Sequence, residues 1–527
     1  MIQRVVVFSL DLNLFSVRKG IRRVMEDFPE VRFLLLQHSP PRSLSRVIRA
    51  QRRHLERNGW RWIAFQAHNL PNRLRRPPSW PAPRLGQGFE LDEIAADPRV
   101  ELRMVEDIHA GEVLDLVAEF EPDVGIALAA PILKEPLFGI PRLGSINLHK
   151  GKLPDYRGMP PAFWEVYNDA DEVGCTVHRI DTRLDTGPIL LQSTVPRPPH
   201  ATVGSLQLML DELGVDLVRD ALRMLDEGRA EFQPQPPGGQ TYRRPTLKQL
   251  GEVERRGSEP TTLRGVAKST FFKGYARTLG RVRSWIRGRR GRQRVAVLLY
   301  HRVSDDMRDN LTVGVEQFDR QMSWIRANYP VVSMEDVVNG RIPKNASRPV
   351  VAVTFDDGYR DNYEHASPIL LQHRVPAAFF VNTGMLGTDR AFAHDLDQMG
   401  RAVPVMTWEQ VEELKEEGFT IGSHTVNHID CGSVDRETLR RELVQSKAEL
   451  EERLGLEDVY FAYPFGARHN ITPEGVEMVR EIGYRCCASA YNGLNDDIDP
   501  MNVRRIGVDH RFSIEALQAR IEGFRDT

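Results

Sequence analysis

The sequence predicts an α/β protein of two domains joined by a basic segment. With 527 residues, the chain has room for two or three domains of roughly 100–200 residues, each with its own core. Short apolar strands alternate with helical patterns in both halves, which is typical of parallel sheets. Residues 234–260 are polar and rich in proline and glycine, and residues 261–294 hold eleven Lys or Arg and no acid. We therefore place domains at 1–250 and 295–527, with a basic linker at 251–294.

Composition excludes several classes of protein. A formal net charge of −2 argues against a general nucleic-acid binder. Four cysteines without a Cys-x-x-Cys pair indicate neither a disulfide framework nor a cysteine metal site. The N-terminal apolar stretch is interrupted by Arg4, Asp11 and Asn13, so it predicts a strand and turn, not a signal peptide. No run of about 18 apolar residues occurs, and we expect a cytoplasmic protein.

The N-terminal half shows the strand and helix pattern of an α/β domain. Apolar runs predict strands at residues 5–10, 31–37, 100–104, 123–129 and 174–181. Amphipathic patterns predict helices at residues 17–27 and 110–120.

Two basic segments interleaved with aromatic residues allow two interpretations. Residues 42–84 contain eleven arginines, one acid and three tryptophans, and residues 261–294 contain four aromatic side chains. Each is interpretable as a solvated insertion or tether, or as a contact with phosphates or an anionic membrane surface. Because the pattern occurs twice, we favour peripheral contact with the inner membrane.

A dense polar motif follows the strand at residues 123–129. It comprises Asn147 and His149, then the loop 153–158 with the sequence Leu-Pro-Asp-Tyr-Arg-Gly, then Asp185-Thr-Gly187. In order and spacing these residues resemble the formyltransferase family that uses 10-formyltetrahydrofolate. The resemblance covers about residues 1–250 and implies a Rossmann-like fold in which folate and acceptor meet beyond the strand ends. It also implies that Leu153 and Pro154 contact the cofactor.

Formyl transfer to an amine requires the residue types found here. Attack by the amine forms a tetrahedral oxyanion, which needs hydrogen-bond donors such as the amide of Asn147 and the imidazole of His149. The amine must also lose a proton, so a carboxylate is needed as the base or as the partner of the imidazole. We predict that Asp185 has this role.

The C-terminal half predicts an incomplete (β/α) barrel. Strands are expected at residues 295–300, 350–355, 377–381, 419–423, 460–463 and 486–490. Helices are expected between them at residues 315–328, 363–373, 408–417, 435–454 and 473–482.

Two carboxylates and two histidines occur at the ends of these strands. Asp356 and Asp357 follow the buried strand 350–355, and adjacent residues of a strand point to opposite sides. One carboxylate can therefore bind a metal while the other handles a proton. His424 and His428 follow a later strand, four residues apart, and can converge on one ion. Together with a carboxylate they predict a hydrolytic metal site with open positions.

The C-terminal motifs resemble the polysaccharide deacetylase (NodB-homology) family. They are Thr-Phe-Asp-Asp-Gly at 354–358, Ser-His-x-x-x-His at 423–428 and Phe-Ala-Tyr-Pro-Phe-Gly at 461–466. The resemblance implies that Asp357, His424 and His428 bind a divalent metal, with zinc as the expected ion, and that Asp356 is the general base. It further implies that the loop carrying Tyr463 and Phe465 contacts the substrate, with the Phe465 N–H stabilising the oxyanion.

The sequence lacks three features that are typical of that family. Its third motif often carries an arginine that orients the base, but Ala462 stands there, so we expect Asp356 to lack an arginine partner. No tryptophan follows Trp408, and the last motif offers no general-acid histidine apart from His510, which we interpret as a surface residue.

Together, the two halves predict a bifunctional enzyme acting on amino sugars carried by a nucleotide or a lipid. The leading hypothesis is acyl exchange, in which an N-acetyl group is removed and a formyl group from 10-formyltetrahydrofolate is added. A second hypothesis is that the metal site later deformylates the sugar that the first half formylated. A third makes one half a binding module without catalysis.

Overall fold

The computed structural model describes residues 1–40, 44–59, 91–257, 294–343 and 348–523. These residues fall into two compact units, one formed by the N-terminal part of the chain and one by the C-terminal part.

A seven-stranded sheet forms the centre of the N-terminal unit. Strands of this unit are β1 (Arg4–Ser9), β2 (Arg32–His38), β3 (Val100–Val105), β4 (Val124–Ala127), β5 (Ser145–His149), β6 (Tyr156–Gly158), β7 (Glu172–Arg179), β8 (Ile189–Pro196) and β9 (Gln240–Tyr242). The sheet order is β3-β2-β1-β4-β5-β7-β8, parallel from β3 to β5 and antiparallel at β7 and β8. This Rossmann-like order confirms the predicted class of the N-terminal half.

The N-terminal unit contains eight described helices, some of which pack on the two faces of this sheet. They are α1 (Phe15–Asp27), α2 (Leu44–Asn58), α3 (Leu91–Ala96), α4 (Gly111–Phe120), α5 (Glu135–Phe138), α6 (Phe163–Tyr167), α7 (Val203–Asp226) and α8 (Leu247–Gly257). Strand β1 shows why its sequence is apolar throughout: Val5 and Val7 pack in one core cluster with α1 and α7, whereas Val6 and Phe8 pack in another with α4.

The C-terminal unit is a nearly closed parallel barrel, as predicted. Its strands are β10 (Val295–Tyr300), β11 (Arg302–Val303), β12 (Thr312–Val313), β13 (Val350–Phe355), β14 (Ala377–Val381), β15 (Thr420–Ser423), β16 (Tyr460–Ala462), β17 (Cys487–Ala488) and β18 (Arg505–Gly507). Seven of them pair in the order β17-β16-β15-β14-β13-β10-β18. A single parallel bridge from Ala488 to Val503 spans the gap between β17 and β18.

The helices of this unit lie between successive strands, except the last, which follows β18. They are α9 (Val315–Asn328), α10 (Met334–Val338), α11 (Ser367–His373), α12 (Ala393–Met399), α13 (Trp408–Glu416), α14 (Arg436–Leu454), α15 (Pro473–Ile482) and α16 (Ile514–Ile521). The helix predicted at 363–373 is instead a π-helical turn, Asn362–Ala366, followed by α11. Pro368 has no N–H with which to continue the α-helical hydrogen-bond ladder into the preceding turn.

The two basic segments are described only in part. Within 42–84, residues 44–58 form α2, and the rest of that segment, apart from Gly59, lies outside the described residues, as does 258–293 of the predicted linker. Across the described ranges, no helix combines the length and the apolar character that crossing a membrane requires.

Candidate functional sites

The first candidate site is a cavity of 280 Å³ beyond the carboxyl ends of β4 and β5. Asn147 and His149 are alternate residues of β5 and therefore project to the same side of the sheet. Asp185 joins them from the turn that precedes β8. The lining also includes Leu128, Ile132, His178, Ile180, Asp211 and Val215. The three residues predicted from the motifs thus meet in one cavity.

His149 and Asp185 are held in fixed positions. Nδ1 of His149 lies 3.5 Å from Oδ2 of Asp185. Nε2 of the same imidazole lies 2.6 Å from the carbonyl oxygen of Tyr156, to which it donates, so Nδ1 is left as the acceptor in the neutral ring. The backbone N–H of Gly158 donates to Oδ2 of Asp185 at 2.9 Å, with Gly158 at a φ of 93°.

Burial and charge set the protonation of this pair. Burial lowers the pKa of His149 more than the nearby Asp185 carboxylate raises it. Burial acts in the opposite sense on Asp185, but the neighbouring His178 and His149 rings and the Gly158 N–H, which donates to Oδ2, keep the pKa of Asp185 below its usual value. The site therefore favours a neutral imidazole beside an ionised carboxylate.

His178 is a site residue to which the sequence pattern assigned no role. It lies directly opposite Asn147 in the register of β5 and β7. Its Nδ1–H donates to the carbonyl oxygen of Arg179 at 2.9 Å, so Nε2 accepts from the Asn147 amide at 3.1 Å. Nε2 also lies 3.7 Å from Oδ1 of Asp185. A buried histidine in an otherwise apolar strand was the signal that could have identified it.

Leu153 and Pro154, the predicted cofactor contacts, lie outside the cavity lining. Leu153 is buried, and its backbone N–H and carbonyl bond to Thr176 and Gln192 respectively. The loop 153–158 is therefore hydrogen-bonded to β7 and β8 next to the cavity.

The second candidate site is a cluster of metal-ligating atoms at the carboxyl ends of β13 and β15. Oδ1 of Asp357 lies 3.4 Å from Nε2 of His424 and 3.2 Å from Nε2 of His428. Nδ1–H of His424 donates to the carbonyl oxygen of Ala462 at 2.8 Å, which directs Nε2 toward the cluster. The three predicted ligands are therefore brought together, with their ligand atoms within 4.8 Å of one another.

These residues fit a divalent cation. Oδ1 of Asp357 is buried and has no hydrogen-bond partner of ordinary geometry, which is a costly state unless an ion binds there. Two imidazoles and a carboxylate suit Zn²⁺ and leave further positions open. Asp357 and His428 both have positive φ, 73° and 54°, so strained backbone presents two of the three ligands.

Asp356 has an arginine partner, so the expectation that it would lack one is wrong. Arg505, at the start of β18, places Nη1 2.6 Å from Oδ1 and Nη2 2.7 Å from Oδ2 of Asp356. Its Nε–H donates to the carbonyl oxygen of Ser489. The charge of Arg505 overcomes the effect of burial and lowers the pKa of Asp356. An arginine within a short buried strand was the signal available in the sequence.

Two further histidines flank the carboxylate pair. His301 directly follows β10, and the charges of Asp357 and Asp356 only partly offset the lowering of its pKa by burial. His394, at the start of α12, lies with Nε2 3.9 Å from Oδ2 of Asp357. His301 was recognisable as a polar residue at a strand end, whereas His394 belongs to no motif. His510 is exposed and bonds to the Asp309 carbonyl, in agreement with its interpretation as a surface residue.

Phe465 and Tyr463 differ in position. The Phe465 side chain is 54% exposed, and its ring centroid lies 4.8 Å from that of His428 at the rim of the cluster. The Tyr463 side chain is 1% exposed, and its ring centroid lies 4.8 Å from that of Phe461.

Each unit contains a stretch that matches a known family model. Residues 99–222 match the family model described as Formyl transferase, and residues 343–487 match that described as Polysaccharide deacetylase. The N-terminal half is 36% identical over 139 residues to a methionyl-tRNA formyltransferase of Roseiflexus sp. (strain RS-1), covering 26% of this chain and 43% of that protein. The chain spans about half the length of the curated formyltransferases it matches.

Solved structures similar to the chain fall into two groups. One is a deacetylase of Streptococcus pyogenes, PplD, solved with acetate; it is 26% identical, with a TM-score of 0.37, and the match covers 44% of this chain and 99% of that one. Another is a sugar N-formyltransferase from Shewanella sp. FDAARGOS_354, 16% identical, with a TM-score of 0.32 and coverage of 49% and 90%.

Proposed function

We propose that this chain, which joins a formyl transferase domain to a polysaccharide deacetylase domain, exchanges the acyl group on the nitrogen of an amino sugar. The C-terminal site removes an acyl group and exposes an amine, and the N-terminal site formylates an amine. The observation that carries the proposal is that both sets of chemistry-bearing residues are assembled in one chain, each in a buried, hydrogen-bonded arrangement.

For deacylation, the protein supplies a base, a ligand set and an oxyanion donor. A divalent ion held by Asp357, His424 and His428 would supply Lewis acidity toward an amide carbonyl and water. Asp356, ionised and oriented by Arg505, takes the proton of the attacking water. The backbone N–H of Phe465 donates to the developing oxyanion.

Protonation of the leaving amine falls to a group near this cluster. His301 follows Tyr300, which pairs with Phe355 in the register of β10 and β13, so His301 lies level with Asp356. We propose that its neutral imidazole passes to the leaving nitrogen the proton that Asp356 took from water, in preference to the exposed His510. The C–N bond then breaks, and the products are a free amine and a carboxylate.

For formylation, the cavity beside β5 supplies the complementary chemistry. The sugar amine attacks the formyl carbon of the folate donor, and one N–H of the Asn147 amide donates to the oxyanion while the other is held by His178. Nδ1 of His149 accepts the amine proton, and Asp185 stabilises the imidazolium that forms. The bond between the formyl carbon and the folate nitrogen then breaks, and the imidazolium gives the proton to that nitrogen, so that tetrahydrofolate is released.

A product assay on the full chain tests this function. With an N-acetylated amino sugar, 10-formyltetrahydrofolate and Zn²⁺, mass spectrometry should show conversion of acetyl to formyl, a net loss of one methylene. Asn147→Ala should accumulate the free amine. Asp356→Asn should leave the acetyl sugar intact but still formylate an added amino sugar.

Two results would overturn acyl exchange. If the chain releases formate from an N-formyl sugar and leaves every N-acetyl sugar tested unchanged, deformylation after formylation is the correct sequence. If only one of the two half-reactions occurs with any amino sugar, the other half is a binding module.

A further inference from the structure

The segment between β14 and α13 brings an unassigned polar network against the metal ligand Asp357. His394 lies at the start of α12, and its imidazole is 19% exposed beside a carboxylate that is 2% exposed. Its Nε2 approaches Oδ2 of Asp357, the oxygen other than the one facing His424 and His428. Asp357 is therefore contacted on one oxygen by the two ligand histidines and on the other by His394.

His394 is itself held by buried polar groups. The hydroxyl of Tyr359 lies 2.8 Å from Nε2 of His394 and 3.0 Å from Oδ2 of Asp395. Arg302 forms an ion pair with Asp395 and a second one with Asp309 at 2.8 Å. Tyr359, Asp395 and Arg302 are all fully buried, so the network is rigid and shielded from solvent.

The direction of the hydrogen bonds follows from this arrangement. Arg302 can only donate, so the paired Asp395 is an ionised acceptor. Tyr359 has one hydroxyl proton, and it donates that proton to Asp395. The Tyr359 oxygen must then accept the Nε2–H of His394, which sets the tautomer of the imidazole. The same Nε2 lies 3.9 Å from Oδ2 of Asp357, so the partial positive charge of its N–H is close to that oxygen.

His394 also packs against a second ligand. Its ring centroid lies 5.5 Å from that of His428, and Phe392, which stacks on His394 at 5.3 Å, contacts the His428 ring at 5.2 Å. One short segment thus touches two of the three ligands through side chains that are not ligands themselves.

We infer that His394, held by Tyr359 and Asp395, is a positioning residue that fixes the orientation of Asp357 and so raises the affinity of the site for its metal. The inference rests on the proposed metal-dependent deacylase site. Groups that orient a ligand typically contribute 10–100-fold to metal affinity or activity. The segment between β14 and α13, which carries α12, then has a defined role, to complete the surroundings of the ion.

Metal titration of the full chain tests this inference. Zn²⁺ affinity is measured by competition with a chromogenic chelator, and Co²⁺ is added separately to record its d–d absorption spectrum. His394→Ala should weaken Zn²⁺ binding about 10–100-fold and alter the Co²⁺ spectrum. His394→Gln, whose side-chain amide can donate from nearly the same position, should recover most of the affinity.

His373→Ala is the matched control. That imidazole is 18% exposed and bonds to an aspartate, Asp319, at 2.7 Å, so its loss removes a comparable histidine–carboxylate contact away from the cluster. It should leave Zn²⁺ affinity and the Co²⁺ spectrum unchanged.

Two outcomes count against the inference, and they separate it from the proposed function. If the wild type binds Zn²⁺ but His394→Ala binds it within threefold as tightly, with an unchanged Co²⁺ spectrum, His394 has a purely structural role and the proposed deacylase survives. If the wild type itself binds neither ion, the metal-dependent function and this inference both fail.

Discussion

Arg505 donates hydrogen bonds to both carboxylate oxygens of Asp356, from Nη1 to Oδ1 at 2.6 Å and from Nη2 to Oδ2 at 2.7 Å. The two residues are 149 positions apart in the chain. Both side chains are buried, and the planar guanidinium matches the carboxylate in a bidentate pair. The guanidinium also packs over Phe380 at 5.4 Å. Asp356 therefore has one orientation and stays ionised, although Ala462 stands where the family resemblance led us to look for its arginine partner.

Removing Arg505 should strongly destabilise the C-terminal unit. Arg505→Met leaves a buried carboxylate without a counter-charge, which typically costs about 3–5 kcal/mol. Thermal unfolding of the full chain should show one transition at a clearly lower temperature. Arg341→Met removes an exposed arginine paired with Glu335 and Asp336, and it should leave that transition in place. Equal shifts for both variants would contradict the bidentate role.

The two adjacent aspartates should separate metal binding from proton transfer. Asp356→Asn should lower the rate of deacylation about 10²–10⁴-fold while Zn²⁺ still binds, because the base is lost but the ligands are intact. Asp357→Asn should lose both Zn²⁺ and activity. Both variants are checked by measuring their zinc content after dialysis and their rate of deacylation. Loss of zinc from Asp356→Asn would reverse the assignments.

Chelation should affect only one half-reaction. Dialysis against EDTA should abolish deacylation, whereas formylation of a free amino sugar should continue, because the cavity around His149 needs no metal in the proposed mechanism. Zn²⁺ added back should restore deacylation alone. A loss of formylation on chelation would show that the two sites do not work independently.

The pH dependence of formylation should report the buried His149. Since burial lowers its pKa below the ordinary 6.5, the neutral imidazole and hence the activity should persist as the pH falls past that value. Asp185→Asn removes the charge that raises this pKa, so the acidic limb of kcat/KM should move to still lower pH, with a lower maximum. A limb that stays in place, or moves upward, would contradict the coupling of the two residues.

His178 should act on catalysis through Asn147. His178→Ala removes the acceptor that holds the Asn147 amide, so kcat for formylation should fall about 10–100-fold with little change in KM. Steady-state kinetics at a saturating concentration of the folate donor measures kcat and KM for the amino sugar separately. His200→Ala, an exposed histidine, is the control and should match the wild type. A rise in KM alone would assign His178 to substrate binding.

Local sequence predicted the fold class and most elements because both depend on short-range patterns. The strands at 350–355 and 377–381 and the helices at 315–328 and 473–482 coincide with β13, β14, α9 and α15. Apolar periodicity and caps such as Thr472 are contained within a few residues of sequence, so they are visible without tertiary information.

The sequence by itself determined two α/β halves and the candidate site residues, since Asn147, His149, Asp185, Asp357, His424 and His428 all belong to compact motifs at strand ends. Only the tertiary structure decided which groups surround them. Arg505, His178 and His394 come from other strands or from the segment between β14 and α13, and no spacing along the chain encodes their approach. Barrel closure brings β18 beside β10, and with it Arg505 to Asp356, the base whose partner the sequence alone could not supply.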